Sequence, residues 1–415
     1  MTNLANVTRT VYIAWVMHTP QTSAKRVASL AALSAFVTTI LLCVNAFALP
    51  KLDMRKSVRS RSHVSVQTPQ GRAVLTVDPK LQQDVETLLH RARAPESAAV
   101  VIDVQNGRVL AWVSVDAKGR DLVSEPYAPP ASLFKVVTAA TLIENRNLPA
   151  NTRQCYVGGQ RSVYIKDLRD SGANGANCSN FALALGYSQN MVMAGLALRY
   201  LKPATLQTMA ARLGLNGNVP IDVDVGAGTV RVPSGDESMA RAAAGFGPGL
   251  LSTLEAAYMM TVVARDGVRV PLRLIDHVDV GDGSIMEVPE VVVASPRAMS
   301  VATASRLRTM LELTVREGTA SKAFRDENGK RYLGSHGGGG KTGTLSRGAE
   351  SRLFSWYAGF APAANPEVVV AVMLANEQKW WRKGPEVARD VLRAYFAGNR
   401  VAGVTHPIRA ATAQR

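Results

Sequence analysis

Three short motifs, each present once, constrain this chain more than any other feature: Ser132-Leu133-Phe134-Lys135, Ser188-Gln189-Asn190 and Lys341-Thr342-Gly343-Thr344. On a helix, Ser-x-x-Lys sets the hydroxyl and the amine about one turn apart on one face, a nucleophile beside its base. The prolines of Ala128-Pro129-Pro130-Ala131 favour extended chain, and Leu133 to Ile143 is apolar enough for a buried helix, so Ser132 is expected at a helix start. A chain of this length should show roughly one Ser-x-x-Lys by chance, so the context has to decide. Lys135 lies between Leu133-Phe134 and Val136-Val137, where burial would lower its pKa, make it available as a base and require a partner for it.

Ser188 and Asn190 interrupt an apolar helical stretch from Asn180 to Leu198. Two readings stay open: Ser188 relays a proton and Asn190 holds an amide, or the pair ends one helix and caps the next. Lys341-Thr-Gly-Thr suits a strand, with a cation, a glycine that lets another backbone approach, and two hydroxyls for an extended peptide ending in a carboxylate.

With these three motifs in this order, the chain resembles the penicillin-binding proteins of the D,D-transpeptidase type. Further stretches share the likeness: Leu75 to Gln82, Val101 to Ala111, Gly245 to Tyr258, Glu317-Gly318-Thr319-Ala320 and Trp356 to Pro362. It covers roughly residues 73–397. The resemblance implies that Ser132 attacks the penultimate D-alanine carbonyl of a peptidoglycan stem peptide and Lys135 takes its proton. Ser188 would pass the proton to the leaving D-alanine, and Asn190 would bind substrate amide or position Lys135. Lys341 would supply positive potential, Thr342 and Thr344 would meet the terminal carboxylate, with Gly343 between them. The N–H groups of Ser132 and Thr344 would form an oxyanion hole. No cofactor is implied, and β-lactams would be covalent inhibitors.

The expected fold is α/β of the α+β type. Strands Ser97 to Val104, Arg108 to Val115, Leu353 to Ala361 and Glu367 to Ala375, drawn from both chain ends, should form one antiparallel sheet. Helices would flank it, including a terminal one from Pro385 to Ala397, and an inserted α-rich lobe would put the catalytic groups at the seam.

The N-terminus points to export. Residues 1–26 read as a cytoplasmic segment or signal n-region, with Arg9, Lys25 and Arg26 ahead of the uncharged run Val27 to Val44, about 27 Å long as a helix. Ala46-Phe47-Ala48 fits a signal-peptide cleavage site and the length of the run fits an anchor, so residues 27–48 stay open between the two. Residues 49–72 read as a basic, solvated linker and 398–415 as a disordered tail. Residues 45–77 leave no room for a glycosyltransferase domain, so glycan polymerisation is expected of a separate partner. Cys43 sits in the apolar run without the small neighbour that lipidation needs, whereas Cys155 and Cys178 bracket a glycine-rich loop and could pair in an oxidising envelope or stay as thiols.

The net charge of +16 is spread along the chain without aromatic-basic interleaving, which argues against nucleic acid and suits a surface between anionic membrane and anionic wall. The six histidines show no metal-ligand spacing, so no metal is expected; His336 is the one nearest a motif. A serine β-lactamase shares the motif order, but no Glu-x-x-x-Asn deacylating segment follows Asn190. A β-lactam receptor would carry several membrane segments and a signalling domain. A P-loop is suggested by Ser335 to Thr342, yet turn sequence rather than helix follows. D,D-carboxypeptidation remains the alternative to crosslinking.

Overall fold

The computed structural model describes residues 49–399, apart from 160–162, 169–176, 218, 282, 294, 348–351 and 378–379. The described residues from Pro50 onward form one compact unit. The apolar run 27–48 and the segment before it lie outside the described residues, as does the expected tail beyond Asn399. Among the described residues no helix is long and apolar enough to cross a membrane.

The central sheet has five antiparallel strands in the order β10-β11-β12-β4-β5. These are β4 (Glu96–Asp103), β5 (Val109–Asp116), β10 (Gly339–Arg347), β11 (Arg352–Ala361) and β12 (Val368–Asn376). The middle strands are apolar on both faces: all nine residues of β12, from Val368 to Asn376, are buried. Such runs need cover on each side. Ala98, Val100, Ile102, Trp356, Ala371 and Met373 face one core with the buried helix α7 (Thr253–Ala264), and Ala99, Val101, Tyr357, Val370 and Val372 face a second core. That second core is closed by α1 (Pro79–Ala92) and the terminal helix α9 (Gly384–Asn399) through Leu81, Val85, Leu89, Val387, Val391 and Leu392. Helix α9 starts one residue earlier and ends two later than the sequence suggests, so residues 398 and 399 belong to it rather than to a tail.

The helical middle lies between β5 and β10 in the chain. It contains α2 (Phe134–Arg146), the hairpin β6 (Arg153–Tyr156) with β7 (Asn177–Asn180), α3 (Phe181–Gly186), α4 (Asn190–Tyr200), α5 (Pro203–Arg212), α6 (Asp236–Arg241), a π turn (Ala242–Phe246), α7 and α8 (Val301–Arg316). Ser252 and Glu255 form a reciprocal capping box at the head of α7.

The basic linker is a correction. Residues 49–72 are not a solvated tether throughout: from Val58 the chain forms β1 (Val58–Arg59), β2 (Val64–Thr68) and β3 (Gly71–Leu75), in a second five-stranded sheet completed by β8 (Ile275–Asp279) and β9 (Ile285–Met286). Val64, Val66, Ala73 and Leu75 join the main core. The local cue was the alternation Val64-Ser-Val66 running into the turn Pro69-Gln-Gly71. What makes the segment a strand is pairing of β3 with β8, some two hundred residues away, and no local pattern reports that.

Candidate active site

Ser132 stands in a 3-10 turn, Ala131–Leu133, that leads directly into α2. Pro130 does not run in extended: it already has helical angles, φ −62° and ψ −23°, and the break falls at Ala131, with φ +47°. Every residue of α2 from Phe134 to Ile143 is buried, as the apolar run required. Lys135 is therefore carried into the core and is 0% exposed.

Its amine has three partners. Nζ lies 2.7 Å from Ser132 Oγ, 2.7 Å from Asn190 Oδ1 and 3.3 Å from Ser188 Oγ. The second motif thus converges on the first, and the capping reading is replaced: the N-cap of α4 is Gln189, without a side-chain bond, while α3 is capped by Asn180. Ser188 sits between the helices at φ +58°. A left-handed serine is uncommon, and such conformations gather where surrounding structure imposes them for function.

Burial holds Lys135 well below the ordinary lysine range, and the positive charge of Lys341 pushes it the same way. A neutral amine has two N–H groups and one lone pair. Asn190 Oδ1 can only accept, so it takes an N–H, which leaves the lone pair for the Ser132 hydroxyl. The geometry suits a serine hydroxyl beside an amine that burial drives toward its neutral, proton-accepting form.

The third motif lies inside β10, at the open edge of the central sheet. This disposes of the P-loop, which needs a helix where Lys341 and Thr342 continue as strand. Lys341 is 0% exposed, its Nζ donates to Thr342 O at 3.0 Å, and burial lowers it to about 7. Thr344 is exposed on the edge. Gly343 pairs with Trp356, and a Cβ on it would lie 3.1 Å from Trp356 Cβ and 3.4 Å from Ala131 Cβ. A side chain there would be tightest against its cross-strand partner Trp356 and would also touch the Ser132 turn.

Two further residues join the site without a sequence assignment. Thr319 Oγ1 is 2.6 Å from Thr342 Oγ1, while the Thr319 N–H donates to Gly186 O at 3.2 Å, so one residue ties the end of α3 to β10. Trp356 Nε1 donates to Pro129 O at 3.0 Å and fixes the approach to Ser132. Both lie in stretches already similar to the family, but only the fold shows what they touch. His336 stacks on Phe396, with ring centroids 4.5 Å apart. Cys155 and Cys178 are disulfide-bonded across β6 and β7, and β7 leads straight into α3 and the Ser188 turn.

Residues 97–396 match the family model of the penicillin-binding protein transpeptidase domain. The penicillin-binding protein PbpB of Mycolicibacterium smegmatis is 29% identical over 342 residues, 74% of this chain and 50% of the relative, so the chain spans about half the length of that relative. The D,D-transpeptidase domain of a peptidoglycan glycosyltransferase from Eggerthella lenta superposes with a TM-score of 0.64 at 25% identity, covering 79% of this chain and 84% of the other. Penicillin-binding protein 3 of Mycobacterium tuberculosis, solved in complex with aztreonam, shares the fold, with a TM-score of 0.63 at 24% identity over 81% of this chain and 80% of its own. The chain belongs to the penicillin-binding protein family, and residues 97–396 are its transpeptidase domain.

Proposed function

We propose that this protein crosslinks peptidoglycan by D,D-transpeptidation through an acyl-enzyme on Ser132. The observation that carries this is the fully buried Lys135, whose amine meets Ser132 Oγ and Asn190 Oδ1 at 2.7 Å and Ser188 Oγ at 3.3 Å. An extended stem peptide adds to the open edge of β10, with its terminal carboxylate at Thr342 and Thr344 under the charge of Lys341. Ser132 Oγ attacks the penultimate carbonyl and gives its proton to Lys135. The oxyanion is held by the N–H groups of Ser132 and Thr344, each donor worth a factor of about 100 to 1,000. The C–N bond then breaks, and the proton reaches the departing D-alanine nitrogen by way of Ser188. An amine of a second strand attacks the ester, forms the new amide and returns Ser132 to its hydroxyl.

β-Lactams acylate the same serine, but their leaving nitrogen stays tethered through the opened ring. The disulfide supports an oxidising compartment, hence a catalytic domain outside the cytoplasm, held by or released from residues 27–48. Mass spectrometry of stem-peptide products with and without an added amine acceptor tests the reading. Amide-linked product in the presence of the acceptor is the expected result. Release of D-alanine with only hydrolysed peptide, whatever the acceptor, would make the protein a D,D-carboxypeptidase.

A further inference from the structure

The turn that carries Ser132 is in contact with a glycine outside all three motifs. Gly245 lies within the π turn Ala242–Phe246 at φ +98°, and a Cβ built on it would fall 2.3 Å from Ala131 O, 2.6 Å from Ala131 C and 2.9 Å from Ser132 N. Those atoms are one peptide plane, so whatever fixes the Ala131 carbonyl also fixes the direction of the Ser132 N–H. The π turn is itself anchored to the helix that carries Lys135, because Thr138 Oγ1 donates to Ala243 O at 2.8 Å. π turns inside helical segments are frequent at functional sites. Ala131 has little freedom to move away: it is 1% exposed and left-handed, and a Cβ built on Gly343 would lie 3.4 Å from its own.

We propose that Gly245 is a positioning residue for acylation, its bare Cα setting the Ala131–Ser132 peptide so that the Ser132 N–H is aimed at the developing oxyanion. The proposal rests on the acyl-transfer reading above. It adds a determinant that no motif contains and that acts through another residue's backbone, without touching substrate.

The test is stopped-flow acylation of the full chain by a fluorescent penicillin, which separates the non-covalent dissociation constant from the first-order acylation rate. Gly245→Ala must displace the peptide by about 1 Å, and a misplacement of that size costs about 100-fold in rate. The dissociation constant should stay close to that of wild type, because carboxylate contacts on β10 are untouched. Gly249→Ala is the control. Gly249 has φ +121° and a Cβ there would meet Thr229 O at 2.3 Å, so the strain is comparable but falls away from Ser132. It should lower the melting temperature and leave the acylation rate per folded molecule unchanged.

A Gly245→Ala protein that acylates at the wild-type rate, or a Gly249→Ala protein that loses as much, overturns the proposal. Should Gly245→Ala not fold, Thr138→Val decides, since it removes the hydrogen bond that anchors the Gly245 turn against the Ser132 peptide. A slower first-order step supports the positioning role, and an unchanged one refutes it. Wild-type protein that is never acylated would sink the acyl-transfer reading as well, and needs no variant to be recognised.

Discussion

Replacing Lys341 by methionine should make the protein more stable and less active, by an amount that depends on pH. In the unfolded chain this amine binds its proton at the ordinary value of 10.5; in the folded protein burial lowers that to about 7. Between those two pH values the unfolded state holds more protons, so folding stability rises with pH across the window and falls as pH drops through it. At about 1.4 kcal/mol per tenfold change in proton affinity, the penalty is about 2 kcal/mol at pH 9 and approaches 5 kcal/mol at pH 6. Methionine fills the same buried volume with no charge to desolvate. Urea midpoints of the Lys341→Met and wild-type proteins should therefore diverge by about 3 kcal/mol between pH 9 and pH 6, the variant being favoured at low pH. Lys135 is buried in both proteins, and in the variant it is also freed from the repulsion of Lys341, which widens the gap in the same direction. A stability gap that does not change with pH would refute the argument, because it would mean that Lys341 is not desolvated in the folded state. The same variant should acylate slowly with carboxylate-bearing β-lactams, an instance of stability given up at a functional site.

Three further outcomes can be checked directly. Ser132→Ala should abolish covalent penicillin labelling, and Lys135→Ala should slow acylation by about 100 to 10,000-fold as followed by intact-protein mass; label on the Ser132→Ala protein would place the nucleophile elsewhere. The penicillin ester on Ser132 should persist for minutes or longer, so that penicillin titrates the protein stoichiometrically, and steady hydrolysis near about 10 per second would instead identify a β-lactamase. Cys155 and Cys178 should resist alkylation until reduced, and replacing both with alanine should cost about 3 kcal/mol in the chain-entropy model for a separation of 23 residues; an unchanged urea midpoint would show that the bond does not constrain the unfolded chain.

The pairing of Ser132 with Lys135, the proposed nucleophile and base, is legible in the chain because the link between them is local. Three residues apart on a helix, Ser132 and Lys135 must meet, and an apolar run around a lysine forces burial and hence a lowered pKa. The strands β4, β5, β11 and β12 were legible for a similar reason, since runs such as Val368 to Ala375 have no other way to bury both faces. Local sequence left the role of Asn190 open between cap and ligand, and only the packing of α4 against α2 put its Oδ1 on Lys135. The strands β1, β2 and the start of β3 look like a tether in the sequence because β8, the partner of β3, lies across most of the chain, and Thr319 has no local signal because its hydroxyl meets Thr342 only when α8 packs on β10. The sequence by itself determined the pairing on which the proposed chemistry rests, a buried amine beside a helix-start serine, because that pair is written within one turn of helix. Tertiary structure decided what positions it: the left-handed Ala131 and Ser188, the glycine at Gly245 and the open edge of β10 arise from contacts between residues far apart in the chain, whose free energy belongs to the folded state and leaves no local pattern.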